Sequence, residues 1–149
     1  MPKMTDTQLA SFFDSDVLCR LACLDDDGYP YVVPTWFQYA DDGFYIIPRA
    51  RAKWAEYMKR DGRVSLCLDR ESGERVLIKG VACVIEEPNV GGQWVGIAKE
   101  MAYRYRGEAG LTYLETTMEE PRWLFFVQPE KSTSWQGGGW ADKYKHSKW

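Results

Sequence analysis

Histidine is almost missing from this chain of 149 residues, which has only one, His146. Histidine-rich metal sites and nucleophiles of the Ser-His-Asp or Cys-His type need more than this. The one histidine lies among Lys143, Lys145 and Lys148, a setting typical of an exposed surface residue. We therefore predict no metal site and no catalytic side chain, and expect any chemistry to come from a bound cofactor.

The chain also lacks long apolar runs and closely paired cysteines. No stretch approaches the roughly 20 apolar residues of a membrane-spanning helix, and residues 1–16 lack the apolar run of a secretory signal peptide. Cys19, Cys23, Cys67 and Cys83 form no C-x-x-C pair. Without a secretory signal, they are best interpreted as reduced thiols buried in strands. We expect a cytoplasmic protein that does not associate with membranes.

Standard nucleotide motifs are missing as well, since neither G-x-G-x-x-G nor G-x-x-x-x-G-K-[ST] occurs. The composition, with 45% apolar and 28% charged residues, is that of an ordinary globular protein. No linker divides the chain, which predicts one domain over residues 1–149 with an aromatic tail from about residue 135. A net charge of −3 disfavours a general nucleic-acid binder.

Alternating apolar residues and turn motifs predict a mainly β protein. Residues 25–28 (DDDG) and 40–43 (ADDG) are hairpin turns, so the sheet is predicted to be mostly antiparallel. Such a sheet needs closure or cover for its edges, which favours a small closed or split barrel with peripheral helices. The predicted strands are 17–24, 29–39, 44–48, 63–69, 75–86 and about 122–134. The predicted helices are 5–14, 51–60, 94–107 and 111–118.

Individual residues predict where these helices begin or end and where the strands are irregular. Thr5 and Gln8 can form a capping box at the first helix, and Gly107 can end the third. Pro34 lies inside a predicted strand, which places that strand at an edge or at a bulge. Gly80 in the longest strand predicts a bulge or a bend at a barrel corner.

Basic residues concentrate where the third strand leads into the second helix. Residues 49–63 hold six basic and two acidic residues, a net charge of +4 that leaves −7 on the rest of the chain. Arg49, Arg51 and Lys53 fall at the start of the helix, where free N–H groups and the helix dipole favour an anion. This corner is predicted to bind phosphate, the alternative being a solvent-exposed loop.

Several segments together resemble one known family. They are DGYPYVVPTWFQYADDGFYIIP (27–48), the basic RARAKW (49–54), RDGRVSLCLD (60–69) and RVLIKGVACV (75–84). Over residues 10–134 the chain is similar to the split β-barrel flavoproteins related to pyridoxamine 5′-phosphate oxidase, and residues 98–106 resemble their deazaflavin-using branch. The resemblance implies a six-stranded antiparallel split barrel. It also implies a homodimer with two cofactor sites at its interface, which bind FMN, a deazaflavin or haem.

The resemblance also assigns residues to the cofactor. Arg49, Arg51 and Lys53 would bind its phosphate, with Trp54 beside them. Lys79 would approach the ring or the phosphate from the same subunit or its partner. The residues that would flank the ring are Val33, Pro34, Thr35 and Trp36 on one side and Ile46, Ile47 and Pro48 on the other. The family's Ser-Arg-Lys pattern at the helix start is replaced here by residues 52–54 (AKW), and no substrate-binding Arg-x-His is evident near the C-terminus.

Aromatic residues are abundant, at 15% of the chain. Trp135 and Trp140 lie in the Gly-rich tail and are predicted to pack across a dimer and to border the substrate pocket, because exposed tryptophan is costly. Trp36 and Trp54 could equally be core or interface aromatics.

We predict an oxidoreductase that transfers a hydride between bound FMN and a small organic substrate, with deazaflavin coenzyme F-420 as the alternative cofactor. A flavin- or haem-binding module without catalysis remains open. A nucleic-acid-binding barrel is disfavoured by the acidic remainder of the chain.

Overall fold

A computed structural model describes residues 2–137, which form seven strands and three helices. In chain order the elements are α1 (Asp6–Phe13), β1 (Cys19–Leu24), β2 (Pro30–Thr35), β3 (Gln38–Ala40), β4 (Gly43–Ile46), α2 (Lys53–Arg60), β5 (Arg63–Asp69), β6 (Arg75–Asn89), α3 (Trp94–Glu115) and β7 (Arg122–Trp135).

The seven strands form a single antiparallel sheet in the order β2-β1-β5-β6-β7-β4-β3. Its two outermost strands, β2 and β3, are consecutive in the chain and only Trp36 and Phe37 separate them. The Cα atoms of Thr35 and Gln38 can be at most about 11 Å apart, so the two ends of the sheet have to lie side by side. The sheet therefore curls into the small antiparallel barrel that the sequence predicts.

Every second side chain along the strands points inward, and these side chains fill the barrel. In β1, for example, Cys19, Leu21 and Cys23 are buried while the residues between them are not. Together with Phe37, which is fully buried, they belong to the main apolar core. Side chains of α1 and α2, among them Phe12 and Met58, close the same core.

A second, smaller core lies between the outer surface of the barrel and α3. It contains Trp94, Ala98, Ala102, Leu114 and Leu124, with Trp36 and Ile47 packed against it. Within α3, Gly107 has φ 57° and ψ −140°, which breaks the helix into two segments. The predicted stop at Gly107 is therefore confirmed. Residues 111–115 of the predicted helix 111–118 belong to the second segment, which ends at Glu115.

The number of strands differs from the prediction, which was six. The apolar run 29–39 is not one strand, because the chain leaves the edge of the sheet at Trp36 and Phe37 and continues at the opposite edge. The predicted edge position of Pro34 is correct, since β2 pairs only with β1 in the described sheet. The predicted bulge at Gly80 is confirmed by a shift in register between Lys79 and Gly80.

Local signals for the turns and the first helix are also confirmed. Asp41 and Asp42 have φ values of 55° and 59° in the β3–β4 hairpin, as a tight turn of the primed type requires. Thr5 and Gln8 form the predicted capping box. The predicted burial of the four cysteines is confirmed for Cys19 and Cys23, but Cys67 is only half-buried and Cys83 is exposed on the outside of β6. Across residues 2–137, the helices are too short or too polar to traverse a bilayer.

Candidate functional site

A cavity of about 860 Å³ lies between the outer surface of the barrel, the loop that leads into α2, and α3. It is within the usual size of a small-molecule or cofactor site. Its lining comprises Leu18, Pro34, Thr35, Trp36, Ile47, Pro48, Arg49, Arg51, Ala52, Trp54, Ala98, Met101, Ala102, Arg106, Tyr113, Leu114 and Arg122.

One wall of the cavity is apolar and rigid, and Trp36 is its largest member. The indole ring is stacked on Tyr105, with ring centroids 4.8 Å apart and an angle of 11° between the planes. The Arg106 guanidinium lies 5.6 Å from the centre of the same indole. Pro48 and Met101 continue the wall. A flat apolar ligand group would meet a preformed surface here.

Two residues of α3 hold this wall against the barrel. Arg104 donates hydrogen bonds to the carbonyl oxygens of Ser15 and Phe37, and its Nε donates to Gln38 Oε1 at 3.3 Å. The Tyr105 hydroxyl donates to the carbonyl oxygen of Val17 at 2.8 Å. Burial raises the pKa of this phenol above its ordinary value. The link between β2 and β3, which carries Trp36, is thus fastened to α3.

The opposite end of the cavity is basic. Arg49 Nη1 donates to both carboxylate oxygens of Glu120, at 3.1 and 2.8 Å, and Arg49 Nη2 donates to the Tyr113 hydroxyl at 2.9 Å. Arg51 reaches the same carboxylate at 3.9 Å and remains largely exposed. The N-cap of α2, Ala52, supplies no side-chain hydrogen bond to the free N–H groups of the first turn. These N–H groups add to the anion-binding character of this end.

Arg122 lies at the same end but is buried, with a relative exposure of 9%. Its Nη2 donates to Thr117 Oγ1 at 2.7 Å, and its guanidinium stands 5.3 Å from the centre of the Trp94 ring. Its Nε is buried without a hydrogen-bond partner in the described residues. Burial, reinforced by the charge of Arg49, lowers the pKa of Arg122 below its ordinary value. A buried donor of this kind favours an acceptor from a ligand, and an anionic ligand suits it.

Eight of the predicted site residues lie together in the cavity lining: Pro34, Thr35, Trp36, Ile47, Pro48, Arg49, Arg51 and Trp54. Four others do not line it. Ile46 and Val33 pack against the barrel core instead. Lys53 is exposed at the start of α2, where it pairs with Glu56 at 2.5 Å. Lys79 lies on the outer face of β6, beside Ser65 and away from the cavity.

The two predicted substrate-pocket tryptophans are not part of this cavity. Trp135 is the last residue of β7, pairs with Arg75, and lies at the opposite end of the strand from Arg122. A strand of this length extends roughly 40 Å, so Trp135 is distant from the cavity along its own chain. Trp140 lies outside the described residues.

Several lining residues were not predicted. Tyr113, Leu114 and Arg122 come from the second segment of α3 and from the start of β7, far from the basic motif in sequence. Arg106, on the first segment of α3, also borders the cavity. The one sequence signal for Arg122 is its position as a basic residue directly before the apolar run of β7. The remaining unpredicted members are Leu18, Ala52, Ala98, Met101 and Ala102.

The family model described as pyridoxamine 5′-phosphate oxidase matches residues 5–135. No curated protein matches the chain in sequence.

Three solved structures are similar in fold to this chain. HutZ, the heme storage protein from Vibrio cholerae, is 21% identical with a TM-score of 0.67, over 89% of this chain and 96% of that one. An FAD-binding protein from Mesorhizobium loti is 20% identical with a TM-score of 0.60, over 89% and 93%. An F420 reductase is 15% identical with a TM-score of 0.63, over 89% and 98%. The chain belongs to the pyridoxamine 5′-phosphate oxidase family, and its barrel is the split β-barrel of that family.

Proposed function

We propose that the cavity binds a flavin-type cofactor, FMN in the first place and deazaflavin coenzyme F-420 as the alternative, and that the protein is an oxidoreductase acting on a small organic substrate. One observation carries this proposal. A single cavity joins a flat apolar wall, centred on Trp36, to an end with Arg49, Arg51 and Arg122. This combination suits a planar ring that bears an anionic tail.

Each part of the cavity has a task in this proposal. Trp36 and Pro48 orient the ring and exclude water from one of its faces, and the backbone near Thr35 offers polar groups to its edge. Arg51 and the first turn of α2 attract the phosphate. When bound, the cofactor supplies hydride transfer, so no protein nucleophile is needed.

A haem-binding function is the second candidate, because HutZ shares the fold. Haem iron is held by histidine, cysteinate, methionine or tyrosine side chains. Within the described residues, the cavity lining contains neither His nor Cys, and Met101 and Tyr113 are its potential iron ligands. The four arginines of the lining are better explained by a phosphate-bearing cofactor. The names of the FAD-binding protein and the F420 reductase support the same choice.

We also propose a homodimer formed through the outer face of β1, β2, β5 and β6. Val32 and Leu77 are large apolar residues exposed on this face, and they border a shallow groove with Cys67 and Lys79. Apolar patches of this type on a sheet are typical of protein interfaces. A second copy seated here is the means by which Lys79 or Trp135 could reach a cofactor, since neither lies near the cavity of its own chain.

Titration of the purified protein with FMN, F-420 and haemin, followed by quenching of flavin and tryptophan fluorescence, tests the cofactor. We expect FMN or F-420 to bind more tightly than haemin. Arg51→Ala should weaken FMN binding about tenfold, the equivalent of one charge-assisted hydrogen bond. Lys99→Ala is the control, since Lys99 is an exposed cation on α3 that does not line the cavity. Equal affinities for the two variants, or no flavin binding at all, would overturn the phosphate assignment.

Turnover and assembly need their own measurements. Catalytic reduction and reoxidation of the bound cofactor with a panel of substrates would exclude a pure binding module. Light scattering should give twice the mass of the 17.2-kDa chain for the wild type and a monomer for Leu77→Glu. A monomeric wild type would refute the dimer.

A further inference from the structure

Glu120 neutralises Arg49, one of the three basic residues that the sequence assigns to the phosphate. Its carboxylate accepts two hydrogen bonds from Arg49 and lies 3.9 Å from Arg51. The carboxylate thus lies where a ligand phosphate would have to bind these two arginines. It is also accessible, because the side chain of Glu120 is 39% exposed.

Arg122, by contrast, has no carboxylate partner among the described residues. It is buried, it lines the same cavity, and its Nε lacks an acceptor. The one hydrogen bond from its guanidinium goes to the neutral hydroxyl of Thr117. A buried guanidinium is stabilised when an anion compensates its charge.

The backbone places Arg49 and Arg122 side by side. The two residues form an isolated antiparallel bridge, which is continued by hydrogen bonds from Trp123 N to Pro48 O and from Ala50 N to Pro121 O. Residues opposite each other in such a bridge project from the same face. The Tyr113 hydroxyl accepts a hydrogen bond from Arg49 and retains its own proton to donate. Three donors therefore converge at one end of the cavity.

We propose that Arg49, Arg122 and Tyr113 form an anion subsite for a phosphate monoester, and that Glu120 competes with this phosphate for Arg49. Binding then exchanges an internal ion pair for one with the ligand, while Arg122 gains the anionic partner that it lacks. The released Glu120 side chain turns to solvent. This proposal rests on the flavin function for the identity of the ligand, but the exchange itself depends only on phosphate chemistry.

FMN and riboflavin, which differ by the phosphate, test the exchange through fluorescence quenching. Glu120→Gln keeps the shape of the side chain and removes its charge. We expect it to tighten FMN binding about tenfold, or 1.4 kcal/mol, and to leave riboflavin binding unchanged. Glu119→Gln, the change of an exposed neighbour, is the control for net charge and should affect neither. Arg122→Gln should weaken FMN binding at least tenfold and spare riboflavin.

Inorganic phosphate separates this inference from the flavin proposal. At constant ionic strength, phosphate should raise the melting temperature most in Glu120→Gln, less in the wild type, and least in Arg122→Gln. If FMN binds the wild type and Glu120→Gln behaves like Glu119→Gln, the exchange is refuted and the flavin function stands. If phosphate follows the expected order and no flavin binds, the exchange stands and the flavin function is refuted. Should Arg122→Gln fail to fold, the Glu120→Gln comparison decides alone.

Discussion

Arg104 offers the sharpest test of how the cavity wall is held. Its guanidinium donates to two backbone carbonyls and to Gln38, and it lies 4.8 Å from the centre of the Phe37 ring and 4.4 Å from that of Tyr105. Replacement by alanine removes all of these contacts at once. It also leaves the carbonyl oxygens of Ser15 and Phe37 without their donor.

The size of the effect follows from these contacts. A hydrogen bond from a charged donor contributes about 1.5–3 kcal/mol net, and partial exposure of Arg104 reduces each value. We expect Arg104→Ala to lower the free energy of unfolding by about 3 kcal/mol, which is a decrease of roughly 6–12 °C in melting temperature for a chain of this size. Arg104→Met, which keeps the aliphatic stem, should lose most of the same amount.

Urea unfolding followed by circular dichroism measures the change. Arg106→Ala is the matched control, because Arg106 lies on the same helix, is exposed, and places its guanidinium over the Trp36 ring. It should cost about 0.5–1 kcal/mol, the usual contribution of such a contact. Equal destabilisation by the two alanine variants would show that Arg104 does not fasten the wall.

Three further predictions concern the barrel and its helices. Burial raises the pKa of the Cys19 thiol to about 12 from 9.0, so the unfolded chain loses this proton first as the pH rises, and stability should fall from pH 9 upwards. Urea unfolding should show that the free energy of unfolding falls by about 2 kcal/mol between pH 8 and 10.5. An equal loss in Cys19→Ala would contradict this. Gly80→Ala places a Cβ 2.4 Å from the carbonyl oxygen of Gln128 and should cost about 2 kcal/mol in melting experiments. Gly96→Ala, in open space on α3, should instead stabilise by about 0.5–1 kcal/mol, and the same sign for both glycines would refute the steric argument. Thr5→Ala removes the α1 cap and should cost about 1 kcal/mol, whereas no change would mean that the capping box contributes nothing.

Local chemistry made much of the fold predictable. The DDG turn at Asp41 and Asp42, the capping box at Thr5 and the bulge at Gly80 each depend on residues within a few positions of one another. The break at Trp36 was not predictable in this way, because residues 29–39 read as one continuous strand. Their division depends on which partners they meet, β1 on one side and β4 on the other.

The site residues differ in the same way: those close together in sequence were predictable, and those that only the fold brings together were not. Arg49 and Arg51 lie within one contiguous motif, so their presence in the cavity could be anticipated. Glu120, which pairs with Arg49, is 71 residues away in the chain, and only the folded barrel brings them together. Lys53 was assigned to the phosphate with its two neighbours, but as the first residue of α2 it pairs with Glu56 instead.

The placement of Trp36 and Phe37 affects how the barrel can open locally. They are consecutive, yet the first forms the wall of an external cavity and the second is fully buried inside the barrel. Any local opening that separates β2 from β3 must therefore disturb both at once. A ligand held against Trp36 should slow that opening, so hydrogen–deuterium exchange of the β3 amides, which pair with β4, becomes a reporter of occupancy outside the barrel.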